Sequence, residues 1–104
     1  VDVFFELGSA VVSASEEAKI RNTAQLLTDY PESKVILTGM ADATGNSDRN
    51  LELSLKRAEY VRGLLVQKYA VDTARIKVNS IGSSLSERKN VFDRKVSMKM
   101  VLSF

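Results

Sequence analysis

The sequence predicts a two-layer α/β (α+β) sandwich in the order β-α-β-α-β-β, a four-stranded mixed sheet with both helices on one face. Three observations carry that expectation. At the C-terminal end Val96, Met98, Met100, Leu102 and Phe104 alternate with Lys95, Ser97, Lys99, Val101 and Ser103, the two-residue period of a strand. Two stretches of helical period lie on either side of a short apolar run, Val35-Ile36-Leu37. The chain is 104 residues long and 44% hydrophobic, which suits one domain, 1–104, able to bury roughly two-thirds of its unfolded surface without disulfides or a metal.

In chain order, Val1, Val3, Phe5 and Leu7 alternate with Asp2, Phe4 and Glu6, predicting a first strand that Gly8 ends. Ser13 precedes Glu16 by three residues, a capping box that opens a helix. Ile20, Ala24 and Leu27 fall on one face of it, and Pro31 stops it near Tyr30. The run 35–37 predicts a buried strand ending at Gly39, and residues 39–48 have loop composition. A second helix follows, with Leu51, Leu55, Ala58, Val61 and Leu65 as its apolar stripe. Ile76 and Val78 alternate with Lys77 and Asn79 in a third strand, and Gly82 to Ser86 reads as a loop before the last strand. βαβ crossovers are expected to be right-handed. Met98 and Met100 read as core filling, and Glu16 and Glu17 as helix N-terminal charge. Glu52, Lys56 and Glu59 read as a solvated helix face with i,i+3 and i,i+4 pairing.

Composition removes several chemistries. There is no cysteine and no histidine, hence no thiolate nucleophile, no imidazole base and no Cys/His metal site. Fifteen basic and thirteen acidic residues are interspersed, with no basic block to follow a nucleic-acid backbone. No apolar run reaches the roughly 20 residues of a membrane span. Gly39 and Gly45 lack the Gly-Lys-Ser/Thr that completes a phosphate loop, and Asp42 and Asp48 lack EF-hand spacing. No cofactor, no metal and no enzymatic activity are therefore expected.

The informative segment is 39–61, GMADATGNSDRNLELSLKRAEYV. Asp42 follows a strand, where ligands tend to bind in α/β sheets. Asn50, Ser54 and Arg57, spaced i, i+4, i+7, make a polar stripe along one edge of the apolar face of the second helix. A carboxylate beside a guanidinium has two readings. It is a salt bridge pinning loop to helix, the commoner arrangement. Or it is a split receptor for a zwitterion, Arg57 taking a carboxylate with its planar fork and Asp42 an ammonium.

The segment matches G-x-x-D-x-x-G-x-x-x-x-N-x-x-L-S-x-x-R-A-x-x-V at Gly39, Asp42, Gly45, Asn50, Leu53, Ser54, Arg57, Ala58 and Val61. Phe4-Phe5, the stretch Ile76–Gly82 and Asp93-Arg94-Lys95-Val96 extend the likeness over nearly the whole chain. It resembles the OmpA-like domains, shared with the peptidoglycan-associated lipoprotein and the flagellar motor stator protein. The resemblance implies non-covalent binding of peptidoglycan through the diaminopimelate of its stem peptide, whose free amino and carboxylate groups make the zwitterion. It places the binding carboxylate at Asp42, the binding guanidinium at Arg57, an amide at Asn50 and a weaker contact at Arg94. Leu51, beside Asn50 at the helix entry, belongs to the same set, since family members also use backbone N–H groups near this helix start. Met40 and Ala41 stand where the family has His or Tyr and then Thr, and Asp93 and Lys95 where it has Asn and Arg. Those departures motivate a second reading, an OmpA-like structural or assembly domain with lost or altered wall binding. The resemblance further implies a periplasmic domain cut from a longer Gram-negative outer-membrane or lipid-anchored protein. Membrane contact is then expected only through flanking segments, whether barrel, lipid anchor or transmembrane helix. A homodimer is left open.

Overall fold

The structure, a computed structural model, describes residues 1–41, 47–83 and 94–104. The elements run β1 (Asp2–Phe4), α1 (Ala14–Asp29), β2 (Lys34–Ala41), α2 (Ser47–Gly63), β3 (Ile76–Ser83) and β4 (Lys95–Val101). They form one mixed sheet of order β1-β4-β2-β3. β2 and β3 are parallel, and β4 is antiparallel to both β1 and β2. Order, strand number and mixed character agree with the sequence expectation.

Register sorts the two faces. Val35, Leu37 and Gly39 of β2 lie opposite Met100, Met98 and Val96 of β4, and Val3 lies opposite Val96. Val3, Val35, Leu37, Val96 and Met98, with Ile20, Ala24 and Leu27 from α1 and Ala58, Val61 and Leu65 from α2, make up much of the core, and Met100 packs against it. Ser13 caps α1, its Oγ accepting from Glu16 N at 3.4 Å. The reciprocal half of the box is absent. Glu16 Oε1 instead accepts from Phe4 N at 2.7 Å and Lys19 Nζ at 2.9 Å, tying α1 to β1. Glu17 accepts from Lys68 Nζ and from the Tyr69 hydroxyl, joining α1 to the far end of α2. Both glutamates are thus tethers as well as helix N-terminal charge. On the solvated face Lys56 pairs with Glu52, whereas Glu59 pairs with Arg62.

Several boundaries move. β1 stops at Phe4, and Leu7 is exposed, because the chain bends into a four-residue turn closed by Ser9 N to Glu6 O at 3.0 Å. Gly8 sits third in that turn with φ +69, a backbone that other residues resist. β2 runs past Gly39 to Ala41, and β3 past Gly82 to Ser83, because Ala41 pairs with Ser83 beyond a register shift. β4 ends at Val101, leaving Leu102 80% exposed and Phe104 outside the strand. Alternation alone cannot locate a strand end once no neighbouring strand is left to pair with.

The helical stripe also differs. Ala58, Val61 and Leu65 are buried, but Leu51 and Leu55 are 49% and 44% exposed. Asn50, Ser54 and Arg57 occupy the inward face instead. The reason is how closely α2 approaches β2. A Cβ added to Gly39 would clash with the Ser54 carbonyl oxygen and lie 3.2 Å from the Ala58 Cβ. Only small side chains fit where α2 passes over Gly39, and Ser54 and Ala58 stand there. After Gly63 the helix widens into a single π turn, Leu64–Lys68, and ends as Tyr69 N reaches Leu64 O and Val71 N reaches Leu65 O.

Candidate functional site

The site gathers around Arg57, on the third turn of α2. Its guanidinium has no solvent exposure. Nε donates to Ser9 O at 2.9 Å, one terminal nitrogen to Met40 O at 3.0 Å and the other to Glu6 O at 3.1 Å. The Phe5 ring lies 5.2 Å from the guanidinium carbon, within cation–π range. A bare buried cation would cost several kcal/mol. Here carbonyl dipoles from two separate segments, the turn after β1 and the end of β2, converge on it. Arg57 therefore decides where the chain goes after β1. Glu6 O and Ser9 O, the two ends of the turn, are both drawn to its fork.

Met40 immediately precedes Ala41, the last residue of β2, so Arg57 is bonded to the strand end that leads into Asp42. Asp42 itself, like Gly45 and Asp93, lies outside the described residues. Asn50 is buried in the first turn of α2, on the same face as Arg57 and two turns away, about 10 Å along the axis. Ser54, between them, is buried and donates to Leu51 O at 2.7 Å. Leu51 points elsewhere. It is half exposed and is the fifth residue of α2, beyond the four leading N–H groups of a helix. Arg94, half-buried, precedes β4; its carbonyl accepts Phe5 N at 2.7 Å, so its backbone holds the residue whose ring underlies Arg57. The structure thus brings Arg57, Asn50 and the backbone of Arg94 to one end of β2 and leaves the Leu51 side chain on the outer surface.

Sequence reading missed Phe5, Glu6 and Ser9 as parts of this cluster. Two of them contribute backbone oxygens, which leave no trace in residue type. Gly8 was the available signal, since a glycine just after a strand pattern supplies the positive φ that a tight turn needs. Motif positions Gly39, Ser54 and Ala58 prove to be packing positions of the α2–β2 crossing, and Val61 a core position.

The OmpA family model matches residues 4–97, nearly all of the chain. The chain belongs to the OmpA family. Among curated relatives of this OmpA-family chain, outer membrane porin F of Pseudomonas aeruginosa is 32% identical over 84 residues, 81% of the chain and 24% of that protein. The peptidoglycan-associated lipoprotein of Brucella melitensis is 32% identical over 81 residues, 78% of the chain and 48% of that protein. The chain therefore spans about a quarter and about half of these two relatives. Among solved structures, the peptidoglycan-associated lipoprotein from Burkholderia pseudomallei superposes with a TM-score of 0.86 at 26% identity, covering 96% of this chain and 89% of that one. The C-terminal domain of Helicobacter pylori MotB superposes at 0.81 with 20% identity, covering 97% of this chain and 84% of that one, a likeness of fold.

Proposed function

We propose that this OmpA-family domain is a non-catalytic binding module. It holds peptidoglycan through the zwitterionic diaminopimelate of the stem peptide and so tethers an outer membrane to the cell wall. The observation that supports this most is the placement of Arg57, a buried, geometrically fixed guanidinium bonded to the end of β2 two residues before Asp42. In this reading Arg57 takes the ligand carboxylate and Asp42 its ammonium. Asn50 and the entry of α2 hold the carboxylate from the other side, and Arg94 flanks the site. Burial strengthens such a contact, because charge interacts more strongly where water is excluded. It also sets a condition: the carboxylate must replace whatever covers the guanidinium. The names of the relatives, outer-membrane proteins and peptidoglycan-associated lipoproteins, support a periplasmic place for the domain within a longer protein.

The test is co-sedimentation with purified diaminopimelate-type peptidoglycan. The native chain is expected in the pellet. Asp42→Ala and Asn50→Ala are expected to leave it while keeping native circular dichroism. If both variants pellet as fully as the native chain, the assigned site is wrong. The second reading, a structural or assembly domain without wall affinity, draws on the complete covering of Arg57 and on Met40 and Ala41. It predicts no amide NMR shifts around Gly39–Ala41 and Asn50 at millimolar diaminopimelate peptide.

A further inference from the structure

We propose that the open face of the sheet is a second docking surface, for an anionic phospholipid bilayer, on the side of the domain away from the helices. The inference stands independently of the wall-binding reading. Strand pairing assembles the surface. Lys77 of β3 and Lys99 of β4 are the direct partners of Ile36 on β2, one on each side. Neighbouring strands lie about 4.8 Å apart, so these two lysines sit about 10 Å apart across Ile36. Lys34 is two residues away on β2 and so on the same face, its Nζ 4.9 Å from the Phe104 ring. Lys77 and Lys99 are exposed.

The face is cationic beyond this trio. Asp2 lies opposite Ser97 and Phe4 opposite Lys95, which adds Lys95 and Asp2 to the same side. Those two pair with each other at 3.2 Å. Among the described residues the face thus carries four lysines and one carboxylate, and that carboxylate is engaged.

Two ordinary explanations fall short. Lysines on edge strands discourage sheet-to-sheet aggregation. That accounts for Lys77 on β3, but Lys34 and Lys99 stand on β2 and β4, the two inner strands. A face kept polar for solubility mixes both signs. This one concentrates a single sign around an apolar centre, where the lysines repel one another. A broad sheet face suits a broad charged surface better than a small ligand. Lysines act on it as point charges with apolar stems that can lie along Ile36 and Val101. Arginine forks, which would mark selective carboxylate recognition, do not occur among the described residues of this face.

Each lysine near an anionic bilayer raises partitioning about fivefold, so the trio together contributes about a hundredfold. The test is flotation of the chain with vesicles of equal parts phosphatidylglycerol and phosphatidylcholine, against vesicles of phosphatidylcholine alone. Binding is expected only to the anionic vesicles, and it should vanish at about 1 M salt, where the Debye length falls to about 3 Å. The triple variant Lys34→Gln, Lys77→Gln, Lys99→Gln should lose about a hundredfold in partitioning while retaining native circular dichroism and wall pelleting. Lys56→Gln, on the exposed surface of α2, should leave partitioning nearly unchanged. The proposal is overturned if the native chain ignores anionic vesicles, or if the triple variant binds them as the native chain does. It is overturned equally if the triple variant loses wall pelleting and nothing else, which would assign the face to the glycopeptide.

Discussion

Two arginines do the same structural task at opposite ends of β2, and the difference between them bears on function. Arg57 takes the carbonyls of Glu6, Ser9 and Met40 at the end where β2 finishes. Arg75 takes those of Leu27, Tyr30 and Ser33 at the end where it begins. Arg75 satisfies the last carbonyls of α1, the usual service of a cation at a helix C-terminus. It remains partly in solvent. Arg57 is wholly enclosed, its guanidinium over the Phe5 ring, and is itself a position of the family motif. Gathering carbonyls is therefore a structural task that both arginines perform. What sets Arg57 apart is burial combined with its attachment to the strand that leads into Asp42.

The comparison can be broken or sharpened by experiment. The largest effect is expected from Arg57→Ala, which strands three carbonyls in a closed space and should cost roughly 3–5 kcal/mol in urea unfolding. A loss under about 1 kcal/mol would remove the distinction between the two arginines. Gly39→Ala strikes the same end of β2. Its new methyl meets helix backbone, which cannot rotate away, so a loss of about 2–3 kcal/mol is expected. Arg75→Ala, more open to water, should cost about 1–2 kcal/mol and leave peptidoglycan pelleting unchanged. If pelleting fell to the level expected for Asp42→Ala, the two ends would not be functionally distinct.

The smallest effect concerns the link between α1 and the end of α2. Hydrogen bonds from Lys68 and then Tyr69 hold the Glu17 carboxyl below the ordinary glutamate value, and Glu17 holds Lys68 above the ordinary lysine value. A lowered carboxyl pKa contributes stability that is present above the unfolded value and lost as pH falls through the folded one. A raised lysine pKa contributes stability that is present below the unfolded value and lost as pH rises through the folded one. The link should be intact at neutral pH and weaken toward both extremes. Glu17→Gln should flatten the acid limb of Tm against pH slightly, since all three groups are solvated. An unchanged acid limb would show that the link contributes nothing.

Much of this was legible in the chain. Ser13 three residues before Glu16 marked the start of α1, the alternation from Lys95 marked β4, and nine motif positions marked the family. The motif could not say why each position is what it is. Gly39, Ser54 and Ala58 look like ligand-site residues in a pattern, yet the close crossing of α2 on β2 accounts for them. Leu51 and Leu55 fit an apolar stripe by period but face outward, because periodicity gives the spacing of a face and not its direction.

By itself, then, the sequence determined the order of elements, the family and the residue types available to the site, because these follow from local period, turn chemistry and composition. Only the tertiary structure decided what Arg57 is bonded to, since its partners are backbone oxygens some 17 to 51 positions away. Only strand pairing gathered Lys34, Lys77 and Lys99 around Ile36. Scattered along the chain they form no basic block. Pairing brings distant positions within about 5 Å from strand to strand, and charge acts through space rather than along the chain.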